Sequence, residues 1–166
     1  MRSLLLPEHG IWLNHEEVAE EFINLFQECW QRIPDSDRKR IIAHWKNSGI
    51  DAWPMIELSC LWSESHSNHA QVTLGGMQIR FNSESFRLFP KGVARWVIAH
   101  ELAHVFQKTE GKSPGGDNEE RNENDADDIV ERWGFEKTAW TLLRVNLSGG
   151  KSLEKSCQII EKMLKE

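Results

Sequence analysis

Val97-Ile98-Ala99-His100-Glu101-Leu102-Ala103-His104-Val105-Phe106-Gln107 is the stretch on which the reading of this chain turns. Four residues of α-helix turn through roughly 400°, so the imidazoles of His100 and His104 leave the same face one turn apart, spaced to hold a single Zn²⁺ ion. Glu101 projects beside them, where it could hold a metal-bound water. Ala94, Ile98, Leu102 and Val105 recur at helical spacing and predict an apolar stripe facing the core, with the histidines on the opposite side looking into a cleft. Pro90 and Gly92 mark the start of this helix, and Gly111, Pro114, Gly115 and Gly116 close it, so it is expected over about 91–109.

Catalytic zinc takes three protein ligands and keeps one position for water, so a third ligand is required. Acids crowd the next segment, from Asp117 through Glu119, Glu120, Glu123, Asp125, Asp127 and Asp128 to Glu131. A helix is predicted over about 118–133, ended by Gly134. Its inward stripe, Ala126, Ile129, Val130 and Trp133, extends back onto Glu123, whereas Asp125, Asp128 and Arg132 point away. An unpaired inward carboxylate is costly, and a shared metal ion accounts for it. Glu119 also falls near the stripe, and with Glu120 it competes for the ligand position. Asp127 follows Glu123 by one turn and is the candidate carboxylate for the second ring nitrogen of His100, since metal-bound histidines usually donate that N–H to an acid.

The pattern H-E-L-A-H at 100–104, followed by Glu123-Asn124-Asp125-Ala126-Asp127, resembles the gluzincin clan of zinc metallopeptidases. Within that clan it is similar to the small single-domain types: minigluzincins, SprT-like proteins and ImmA/IrrE-like peptidases. The likeness extends from Gly76 to about Gly134. It implies His100, His104 and Glu123 as ligands, Glu101 as base, Asp127 as the histidine-orienting carboxylate, and hydrolysis of peptide bonds in a protein or peptide substrate. No third histidine with a Met-turn follows, which argues against the metzincin branch. The chain departs from many gluzincins in having no Tyr to stabilise an oxyanion. His66, His69, Arg80 and Arg144 are the candidates on charge, and their spacing does not choose among them. A zincin-like binding or regulatory module that cleaves little is the alternative.

A zincin-like α+β domain with a small, mostly antiparallel sheet is therefore expected. Ile56 to Trp62 reads as a strand, and Gln71–Leu74 and Met77–Phe81 alternate around Gly75-Gly76 as a hairpin, placing the sheet at about 55–82. In zincins a sheet edge above the metal binds substrate in extended form. That resemblance points to Met77, Gln78, Ile79 and Arg80, or to the neighbouring strand, as a peptide-pairing edge. The N-terminal part, about 14–47, is expected to be helical: Asn14 caps a helix to about Gln31, Pro34 stops it, and Ile41, Ile42 and Trp45 form the apolar face of a second helix. C-terminal helices are expected over about 136–165, with Ala139, Trp140 and Leu143 inward in one and Leu153, Cys157, Ile160 and Leu164 along the other.

With 166 residues, 39% of them hydrophobic, and no repeat or low-complexity run, one domain is the simplest count. The scatter of eight Trp residues suits packing rather than a stacking platform. A formal charge of −6 and the acidic segment speak against a dedicated nucleic-acid surface, which needs clustered Lys and Arg; Arg38-Lys39-Arg40 is read as a solvated helix face. No run approaches a membrane span, and Met1 to Leu6 is too short an apolar run for a signal peptide, so a cytoplasmic location is expected. Cys29, Cys60 and Cys157, odd in number and set among apolar residues, read as buried thiols of a reducing compartment.

Overall fold

The structure, a computed structural model, describes residues 2–6, 11–15, 20–48, 54–59, 69–112 and 119–165. It is of the α+β class. Strands β1 (Arg2–Leu6) and β2 (Ile11–His15) open the chain, followed by helices α1 (Glu20–Arg32) and α2 (Asp35–Lys46). Next come β3 (Met55–Ser59), β4 (Ala70–Thr73), a single 3₁₀ turn at Leu74–Gly76, and β5 (Gln78–Asn82). Helices α3 (Ser83–Leu88), α4 (Lys91–Thr109), α5 (Glu119–Arg132), α6 (Thr138–Ser148) and α7 (Leu153–Leu164) complete it. None of the described helices is long and apolar enough to cross a membrane.

The five strands form one sheet in the order β1-β2-β3-β5-β4. It is mixed rather than mostly antiparallel: β1 and β2 pair antiparallel, as do β4 and β5, but β2–β3 and β3–β5 are parallel. The physical reason is connectivity, because α1 and α2 lie between β2 and β3 in the chain and a helical crossover returns a strand parallel to its neighbour. The same arrangement corrects the N-terminal expectation. Asn14 lies in β2 rather than at a helix cap, and the first helix begins only at Glu20. The sheet edge is corrected too: β5 is paired on both sides, so Met77–Arg80 offers no open ladder, and among the described residues the edge on that side is β4.

One face of the sheet is apolar. Ile56, Leu58, Ile79 and Phe81 alternate with Glu57, Gln78 and Arg80, as the two-residue period of a half-buried sheet requires. Phe81 meets Phe22, Phe26 and Phe86 at ring-centroid distances of 5.3, 6.3 and 5.3 Å, fastening β5 to α1 and α3. Truncation of this fully buried ring, Phe81→Ala, is expected to lower the unfolding free energy by about 3–5 kcal/mol. Urea titration with fluorescence detection measures it, and a loss below about 1 kcal/mol would mean that the aromatic cluster is not a keystone of the core.

Helix α4 lies at the centre of the molecule and packs against α1, α2, α5, α6 and β4. Its sides are buried nearly all round, from Val93 to Gln107, in place of the one-sided stripe expected from spacing. A helix covered on several sides needs apolar residues on several faces, and Trp96, Val97, Ala99, Ala103 and Phe106 supply them. Pro90 stands before its first turn, where a missing N–H costs nothing. At its C-terminus Gly111 takes φ +74°, and Lys112 and Gly111 donate to the carbonyls of Gln107 and Lys108, a Schellman closure. Gly134, at φ +85°, ends α5 the same way, through bonds from Phe135 to Val130 and from Gly134 to Glu131.

Tryptophans serve as mortar. Trp30 and Trp45 stack at 5.7 Å between α1 and α2, and Trp96 and Trp133 are also buried. Trp45 Nε1 donates to the Gly76 carbonyl at 2.8 Å, and His44 Nε2 lies 2.8 Å from the Gly75 carbonyl, so α2 grips the turn between β4 and β5. Cys29 and Cys157 are buried, and burial raises their thiols to about 12 and about 11, leaving them protonated and inert; Cys60 lies outside the described residues.

Candidate metal centre

His100 and His104 occupy successive turns of α4, and Glu123 projects from the first half of α5 onto both. His100 Nε2 lies 2.9 Å from Glu123 Oε2, His104 Nε2 lies 3.1 Å from Glu123 Oε1, and the two Nε2 atoms are 3.1 Å apart. The two contacts of Glu123 use its two different oxygens, and with one ligand atom taken from each residue the three atoms lie within 4.8 Å of one another. The other ring nitrogens turn away to oxygen acceptors. His104 Nδ1 is 2.8 Å from Gln107 Oε1, and His100 Nδ1 is 3.0 Å from Asp127 Oδ1, a charge contact whose N–H is not squarely aligned. Two imidazole nitrogens and a carboxylate thus converge on one cleft, joined to one another by short polar contacts. A group of this composition could hold a divalent cation.

The closeness of these groups also shifts their titration. Burial alone would lower the pKa of His100, but its bonds to Asp127 and Glu123 outweigh that and raise it from 6.5 to about 10. Glu123 is held well below the usual carboxylate range by its bonds to His100 and His104. Asp127 is also depressed: its partial burial, which would raise it, is exceeded by hydrogen bonds from His100 and Lys137. Glu101 is pushed up, chiefly by desolvation, since its carboxyl is buried beside the two rings.

The sign for His100 follows from linkage. A folded-state pKa above the unfolded one stabilises the protein fully below pH 6.5, and that contribution is lost as pH rises through about 10. Metal-stripped protein is therefore expected to lose urea resistance across this window, and metal affinity to rise across it as the competing proton leaves. A His100→Leu variant with the same decline would place its origin elsewhere.

Not every expected site residue joins the cluster. Glu119 and Glu120 are exposed in the first turn of α5 and stand apart from the three ligand groups. His69 is turned into packing, with Nδ1 at 2.8 Å from Ser85 Oγ and its ring against Phe89 and Trp140, and burial lowers its pKa. Arg80 Nε lies 3.4 Å from Glu57 Oε2 across the sheet, and Arg144 is exposed on α6. His66 lies outside the described residues. Met77 and Ile79 are buried in the core, and Gln78 bonds to Thr73 and Glu57.

Glu123 differs from the sequence expectation in one respect. Its side chain is 52% exposed, so it stands at the rim of the cleft rather than aimed into the core; Asn122, beside it, is the buried residue of that turn. Two participants were not anticipated. Gln107 is 1% exposed, and besides His104 its Nε2 donates to the backbone carbonyl of Asn122 at 2.8 Å. Lys137, just before α6, holds Asp127 Oδ2 at 2.5 Å with its ammonium 5.8 Å from the Trp96 ring centre. Gln107 follows His104 by three residues, a helical neighbour that spacing could have flagged; Lys137 arrives from a separate element and leaves no local signal. Compared with protein-family models, curated proteins and solved structures, the chain matches none of them.

Proposed function

We propose that the chain is a zinc-dependent peptidase with a zincin-like fold of the gluzincin kind, acting on an extended segment of a protein or peptide. The observation that carries this reading is the convergence of His100, His104 and Glu123, from two helices, with one potential ligand atom from each within 4.8 Å of the others. Two imidazoles and one carboxylate, with a position to spare, are the donor set of catalytic zinc, although other divalent ions accept the same donors. When bound, such an ion supplies the Lewis acidity that makes water nucleophilic and polarises a carbonyl. Glu101 then takes the proton from the attacking water and delivers it to the leaving amine, a role that its raised pKa suits. Asp127, braced by Lys137, keeps the His100 ring turned toward the ion. Substrate pairing belongs to β4 rather than to Met77–Arg80, because among the described residues β4 is the edge strand, and it packs on α4.

A second reading, a binding or regulatory module that holds the metal but cleaves little, is favoured by one specific observation. The chain has no Tyr, and His69 and Arg80 are engaged away from the cluster, so no described side chain supplies an obvious oxyanion donor. Stoichiometric Zn²⁺ uptake, followed by cleavage of polypeptide substrates that depends on Glu101, supports the peptidase. Uptake with no Glu101-dependent cleavage of any protein offered supports the binding module, and no uptake defeats both.

A further inference from the structure

We infer that Gln107 is a positioning residue of the metal centre, one that fixes the coordinating nitrogen of His104 and ties the helix bearing Glu123 to the helix bearing the two histidines. The inference rests on the metal-site reading above and extends it to a residue outside the ligand set.

The orientation of the Gln107 amide follows from its partners. Its Nε2 lies 2.8 Å from the backbone carbonyl oxygen of Asn122, which can only accept, so the nitrogen and not the oxygen must face it. That leaves Oε1 facing His104 Nδ1 at 2.8 Å, and an amide oxygen can only accept in turn. The proton of His104 is thereby assigned to Nδ1. Its Nε2, 3.1 Å from Glu123 Oε1, is the bare nitrogen directed at the point where the donors meet.

The second bond concerns the spacing of the site. Asn122 immediately precedes Glu123, so the Gln107–Asn122 bond fastens the ligand-bearing turn of α5 to α4 one residue away from the carboxylate. Glu123 itself is half exposed and draws little restraint from packing. The bridge, by contrast, is buried, where a hydrogen bond competes with no water and its loss leaves two polar groups unpaired. Two requirements of the centre, which nitrogen binds and how far the carboxylate stands from it, thus pass through one amide.

Gln107→Met keeps the volume and removes both bonds, and Gln107→Glu keeps an oxygen acceptor for His104 while losing the donor to Asn122. Co²⁺ serves as the probe, because its visible absorption bands report coordination geometry as well as occupancy. The expected result is a loss of roughly 10–100-fold in Co²⁺ affinity for Gln107→Met with altered bands, as for other residues that orient metal ligands, and partial recovery in Gln107→Glu. Wild-type affinity and bands in Gln107→Met would overturn the inference alone. Failure of the wild-type protein to bind Co²⁺ would overturn the metal reading along with it. Should Gln107→Met not fold, nitrogen-15 NMR of the zinc-loaded wild type decides: a slowly exchanging proton on His104 Nδ1 supports the assignment, and metal bound through Nδ1 refutes it.

Discussion

Replacing Glu101 by Gln is expected to lower the rate of peptide hydrolysis by roughly 10²–10⁴-fold while leaving one bound Zn²⁺ per chain. The two halves of the expectation have separate causes. Glu101 is not among the three convergent donors, so the amide removes no ligand, and Gln matches Glu in volume at a position that is only 8% exposed. What the amide cannot do is accept a proton. Burial raises the carboxyl of Glu101, the direction that strengthens it as a proton acceptor. Metal analysis of the purified variant, together with cleavage of a substrate that wild type processes, reads both halves at once. A variant that cleaves at the wild-type rate would remove Glu101 from the role of base; one that has lost its zinc would make it structural.

His104→Ala is expected to act at the earlier step. Loss of an orienting neighbour typically costs metal sites about 10–100-fold in affinity, and loss of a ligand should exceed that, so zinc uptake is expected to weaken by more than roughly 10²-fold. Hydrolysis should fall with it and recover only in part at high zinc. The substitution also removes the acceptor–donor pair with Gln107, leaving a buried amide oxygen unpaired, so some stability should be lost as well. Competition with a chromophoric chelator measures the affinity. Retention of stoichiometric, tight zinc by His104→Ala would exclude this residue from the ligand set and with it the three-donor geometry. Comparison of the two variants separates chemistry from occupancy, since the first should be metal-replete and slow and the second metal-poor.

What could be read from residue order was whatever a single helix encodes. His100 and His104 meet because a helix repeats every 3.6 residues, and the ends of α4 at Lys91 and Thr109 agree with the expectation because Pro90 and Gly111 are strong local signals. Glu123 was reachable because an acid interrupting the stripe of Ala126, Ile129 and Val130 is conspicuous, though the stripe overstated its burial. Residues 2–6 and 11–15 were not recognised as strands, because the partners that make them strands are one another and Met55–Leu58, a pairing that no local period announces. The same limitation left the sheet edge undecided between 77–81 and its neighbour: alternation shows that 78–81 is a strand but is silent on whether anything lies alongside it. Lys137 was invisible for a related reason, since its contact with Asp127 is made by the turn that follows α5 and depends on where Gly134 sends the chain.

The enclosure of α4 by apolar neighbours bears on how the candidate centre would take up an ion. In small domains nucleated by zinc, the ligands come together only as the metal arrives, and removing it unravels the chain. Here Ile98, Leu102, Val105 and Phe106 anchor the histidine-bearing helix in a hydrocarbon interior that owes nothing to coordination. The entropy of bringing the donors into register is met when the chain folds, so binding of an ion by the proposed centre would be largely separate from folding. On that proposal, loading would follow the supply of cation without putting the architecture at risk.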